Sequence, residues 1–179
     1  MNLNEYNEMV LKVKKYPTQY AVIYPILKIN GECGELFEKF LTPNSSNDEL
    51  NKEMGDVVWY IFAIFQDLGL DYNVLNIKND TLYNKSEVFY NFIDICILTS
   101  KLSEKTGKLL RDDEDFINYN KINDEYKNFV QSILITVFYR ISYIAKNYGF
   151  DMNTVLQTNS DKLLSRFNRG KINGDGDNR

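Results

Sequence analysis

Apolar residues recur three and four positions apart along almost the whole chain, the spacing of one helix face, and no convincing stretch alternates as a half-buried strand does. The spacing predicts a short helix over 3–15, stopped before Pro17, and a second over 18–41, which Pro25 either kinks or restarts. Pro43-Asn-Ser-Ser reads as a loop. Ser46-Asn-Asp-Glu49 then fits a capping box, in which each side chain satisfies the other's free backbone N–H. The helix it opens should run to Leu68 and close at Gly69. A shorter helix is expected over 72–83, followed by long ones over 86–110 and 114–148, separated by Arg-Asp-Asp-Glu-Asp. Gly149 ends the last of these, and a helix over 152–168 leads into a polar Gly/Asn/Asp tail. The expected architecture is all-α, a helical bundle forming one domain over residues 1–179.

The pattern also repeats. VVWYIFAIFQDLGLD at 57–71 is similar to VFYRISYIAKNYGFD at 137–151, an offset of eighty residues, with a fainter echo between 34–41 and 103–110. The reading is an internally duplicated four-helix module, with one half over 18–83, a degenerate second half over 86–168, and a tail over 169–179. At this offset Glu53 and Asp56 correspond to Ile133 and Thr136, so acids of the first half have no counterpart in the second. Lys162 and Arg166 belong to the second half alone, which points to one composite site built from two unequal halves.

Composition narrows the chemistry. The 179 residues are 44% hydrophobic, enough for a sizeable core. A net charge of −4 argues against non-specific nucleic-acid binding, which needs a basic face. There is no histidine, which removes His-based zinc sites, serine triads and imidazole bases. Cys33 and Cys96 match no zinc or redox spacing and read as buried, reduced thiols. The most apolar run, Val57 to Phe65, is far shorter than the roughly 20 residues a bilayer span requires. With no secretory pattern at the N-terminus, a cytoplasmic location without membrane partners is expected.

The chemistry-bearing residues are two acidic pairs, Glu32-x-x-Glu35 and Glu53-x-x-Asp56, each on one face of an expected helix. A single such pair ordinarily forms a solvated face. Here the second pair directly precedes the most apolar segment, which places Asp56 at the edge of the core, where a carboxylate needs a partner or a metal. Gly31, Gly34 and Gly55 beside the acids suggest close helix approach or backbone room for a ligand. Two facing helices would converge four carboxylates, and oxygen-only donors favour Mg²⁺, with Mn²⁺ as a substitute. Asn159, Lys162 and Arg166 share a helical stripe whose cations suit phosphate oxygens, with Arg179 beyond it in the Gly-rich tail. Lys28 either reaches a phosphate or pairs with Glu32. Trp59, one turn after Asp56, is a candidate for stacking on a nucleobase.

KINGECGELFEK followed by LNKEMGDVVWYI resembles the all-α nucleoside triphosphate pyrophosphohydrolases of the MazG type, related to the dimeric dUTPases. Glu32, Glu35, Glu53 and Asp56 fit their E-x-x-E…E-x-x-D signature, and the ending NSDKLLSRFNRGKINGDGDNR is similar to their N-x-x-K-L-x-x-R…G-x-G-D-x-R close. The likeness covers 20–70 and 150–179, while 84–148 departs from the compact single-module form. The resemblance implies Mg²⁺-dependent hydrolysis of a nucleoside or deoxynucleoside triphosphate to the monophosphate and pyrophosphate, in a homodimer. The four acids would hold the metal, Glu35 or Glu32 would activate water, and Lys162, Arg166 and Arg179 would balance the leaving pyrophosphate. The competing readings are a base-specific dUTPase or dCTPase and a non-catalytic helical nucleotide-binding or regulatory protein.

Overall fold

The computed structural model describes residues 1–75, 87–119 and 121–172. These residues form seven α-helices and no strand: α1 (Leu3–Val13), α2 (Ile23–Leu41), α3 (Asn47–Leu68), α4 (Glu87–Asp112), α5 (Glu114–Tyr119), α6 (Asp124–Asn147) and α7 (Met152–Asn168). The protein is an all-α helical bundle. Helix α2 packs on α3 and α4, α6 packs on α4 and α3, and the four close a ring. Helices α1 and α7 pack on the remaining side of α3 and on each other. This makes α3 the central element, and its sequence explains why. Val57, Val58, Ile61, Phe62, Ala63, Ile64 and Phe65 are all fully buried, so the helix is apolar almost all round, as a core helix must be. No helix of the described residues is long and apolar enough to cross a membrane.

Local chemistry sets the helix ends. Asn2 with Glu5 and Ser46 with Glu49 both form complete capping boxes, the second as its sequence predicts. Gly69 adopts φ 65°, and the Leu70 N–H reaches the Phe65 carbonyl at 2.8 Å. Eighty residues on, Gly149 adopts φ 84° and the Phe150 N–H reaches the Ala145 carbonyl at 2.9 Å. Asp71 and Asp151 then each accept from a backbone N–H just ahead. The repeated Gly-apolar-Asp triplet thus folds the same way at both places.

Three expected boundaries are corrected. The helix expected over 18–41 is broken: Thr18–Tyr20 is a 3₁₀ turn, and α2 starts at Ile23. The break is a γ-turn centred on Val22 (φ 68°, ψ −52°), closed by the Ile23 N–H on the Ala21 carbonyl at 2.8 Å. Positive φ is unfavourable for a β-branched residue and needs outside support. Asp67, in the last turn of α3, provides it by accepting from the Val22 N–H at 2.9 Å. Pro25 does not kink α2 but marks the restart, sitting in the first turn, where an N–H has no helical acceptor. The helix expected over 114–148 is two, since Asn123 accepts from the Tyr126 N–H at 2.8 Å and starts α6 afresh. Of the helix expected over 72–83, Tyr72–Val74 is a 3₁₀ turn and 76–83 lies outside the described residues.

Asp67 also accepts from the Tyr16 hydroxyl at 2.7 Å and from Lys14 at 2.8 Å, with its own side chain 5% exposed. Replacing it with alanine strands a buried N–H, a phenol and a cation together. Asp67→Ala is expected to lower stability in urea unfolding by about 2–4 kcal/mol, against about 1 kcal/mol for Tyr16→Phe, which removes one of the three bonds.

Candidate metal centre

The five-residue loop over 42–46 folds α3 back onto α2 and brings the two acidic pairs together. One carboxylate oxygen each from Glu32, Glu35 and Glu53 lies within 4.8 Å of the others. Glu32 and Glu53 are buried and Glu35 is exposed, so the group opens to solvent on one side. Lys28, one turn before Glu32, pairs with it at 3.2 Å.

Asp56 sits beside this trio but is engaged differently. Its Oδ1 accepts from Asn159 Nδ2 at 2.8 Å, and its Oδ2 forms an ion pair with Lys162. Both partners come from α7, so the C-terminal stripe meets the second acidic pair inside one chain. Asn159 is fully buried, and Arg166, one turn beyond Lys162, is nearly so. Trp59 is half-buried edge-on to Tyr60, centroids 4.8 Å apart, with its indole N–H buried and without an acceptor among the described residues. Tyr24 and Tyr16 extend this row of rings. Arg179 lies outside the described residues.

The glycines divide. A Cβ on Gly55 would stand 2.7 Å from Cβ of Asn159, so this glycine permits α3 and α7 to approach closely. Gly31 and Gly34 have nothing within 4 Å and face open space. The residue that sequence reasoning missed is Tyr6 on α1. It is fully buried, and its hydroxyl donates to Asn159 Oδ1 at 2.7 Å. Its only signal is a place on the apolar face of an amphipathic helix, which identifies burial and not a partner. Cys33 is buried and Cys96 half-buried, both as free thiols, and burial pushes the Cys33 thiol well up. That inactivates it as a nucleophile.

Burial raises the Glu32 carboxyl above its ordinary value, and the charge of Asp56 raises it further, while Lys28 pulls it down only in part. Lys28 is partly desolvated, yet Glu32 and Glu35 hold its ammonium above the usual value. The folded protein therefore binds a proton at Glu32 more readily than the unfolded chain does. By linkage, this contribution to stability is fully present below the ordinary pKa of 4.5 and is lost as pH rises through the raised one. In metal-free buffer, Glu32→Gln is expected to raise the melting temperature at neutral pH. The gain over the parent protein should shrink as pH falls toward 4.5, which a pH series of thermal melts measures.

The chain matches no family model and no solved structure. It is 34% identical over 79 residues to the Gene 37 protein of Mycobacterium phage L5. The match takes in 44% of this chain and 65% of that protein, so the chain covers less than two thirds of its relative.

Proposed function

We propose that this protein hydrolyses nucleoside or deoxynucleoside triphosphates to the monophosphate and pyrophosphate with Mg²⁺ as cofactor. The observation that carries the reading is the convergence of Glu32, Glu35 and Glu53 across α2 and α3, with the α7 cation Lys162 docked on Asp56 beside them. The donors suit a hard divalent ion. They are all carboxylate oxygens, and two of the three are buried. Glu32, Glu35 and Glu53 would hold the ion, with Asp56 as the fourth acid. Bound there, Mg²⁺ supplies charge neutralisation on the triphosphate oxygens and a lowered pKa for bound water.

The chain's own groups account for the rest. Glu35 or Glu32 takes the proton of the attacking water. The water oxygen bonds to the α-phosphorus and the bridging α–β P–O bond breaks, so the electron pair leaves on pyrophosphate. Lys162 exchanges Asp56 for an oxygen of that leaving group, and Arg166 adds charge from the next turn. Trp59 and Tyr60 offer ring faces for a base. The paired Gly-apolar-Asp caps at 69–71 and 149–151 support descent of residues 86–168 from a second copy of the acidic half. Exposed Leu27, Tyr90 and Ile97 are compatible with a homodimer, and a nucleotide substrate with a cytoplasmic location.

Calorimetry with Mn²⁺, alone and with an α,β-methylene triphosphate, tests the binding half of this reading. Metal binding that the nucleotide strengthens is the expected result. Binding of neither ligand to folded protein would overturn the reading.

A further inference from the structure

We infer that Tyr6 is a positioning residue for the acidic site, fixing the Asn159 amide that orients Asp56. The inference rests on the metal-dependent reading above. An asparagine amide presents an acceptor at one end and two donors at the other, and a neighbour decides which way it turns. Tyr6 is that neighbour: its hydroxyl donates to Asn159 Oδ1 at 2.7 Å, which leaves Nδ2 to face Asp56 Oδ1 at 2.8 Å. The tyrosine must stay protonated to do this. Burial, reinforced by the negative charge of Asp56, pushes its phenol well above the usual range.

Asn159 has no room to compensate by moving. It is fully buried, and its Cβ lies where a side chain on Gly55 would be. With Lys162 on its other oxygen, Asp56 is held from two sides, and one of those sides is set from α1. Asp56 lies one turn after Glu53 on α3, so a displaced Asp56 carboxylate is felt within the acid cluster. Without the Tyr6 hydroxyl, Asn159 Oδ1 is buried and unpaired. The amide then loses the contact that fixes its angle, and its hydrogen bond to Asp56 weakens.

Tyr6→Phe removes only that hydroxyl and keeps the edge-on contact with Phe62, at 5.0 Å between centroids. Tyr126→Phe is the matched control, deleting an equally buried hydroxyl that bonds Thr106 at 2.7 Å between α6 and α4, neither of which carries the acids. Mn²⁺ titration of the full chain by calorimetry is expected to show about tenfold weaker binding for Tyr6→Phe, the scale of a lost outer-shell partner. Tyr126→Phe should bind as the parent protein does, though both variants unfold at lower urea. In an Asp56→Asn background, Tyr6→Phe should add no further loss of affinity. Unchanged binding in Tyr6→Phe, an equal loss in both tyrosine variants, or a full further loss in the Asp56→Asn background would each overturn the inference. If the parent protein bound no Mn²⁺ at all, the metal-dependent reading would fail and this inference with it.

Discussion

Replacing Glu53 with glutamine is expected to lower kcat/KM for Mg²⁺-dependent triphosphate hydrolysis at least about a hundredfold while leaving the helical circular dichroism intact. Glutamine matches the volume of glutamate, so the buried position on α3 stays filled and the packing around Leu50, Met54 and Val57 is undisturbed. What changes is charge and donor type. One of three converging carboxylates becomes an amide, which binds a hard cation far less well. Loss of activity together with loss of fold would instead mean that Glu53 acts through packing.

The second large effect separates two glycines that look alike in sequence. Gly55→Ala places a methyl group 2.7 Å from Cβ of Asn159, an atom tied to the α7 backbone that cannot swing aside. The helices must separate, at a cost of about 1–3 kcal/mol. Because Asn159 and Lys162 reach Asp56 from that same helix, activity should fall beyond what the lost stability explains. Gly31→Ala meets nothing within 4 Å in the interior of α2, and there alanine should stabilise by about 1 kcal/mol. Urea midpoints moving in opposite directions for the two variants are the expected outcome. A stabilised Gly55→Ala would mean that α3 and α7 are not in close contact.

The helices were legible because helical spacing and caps are local. Ser46 and Glu49, or Gly69, announce their ends within a few residues. The α2 start was not, because it depends on Asp67 holding the Val22 N–H from forty-five residues away. The same division runs through the site. The two acidic pairs and the α7 stripe could be read from spacing, and the fold brings them to one place. Spacing did not reveal that Asn159 and Lys162 bind Asp56, or that Tyr6 stands behind Asn159, since these are contacts across more than a hundred residues. Gly31, Gly34 and Gly55 shared one sequence signal, and only packing against α7 tells them apart.

The measurement that bears most directly on the account is product analysis of purified protein with a panel of nucleoside and deoxynucleoside triphosphates, in Mg²⁺ and in EDTA. The account predicts Mg²⁺-dependent release of monophosphate and pyrophosphate in equal amounts, abolished by EDTA. Release of orthophosphate, or no turnover of any nucleotide by folded protein, would contradict it.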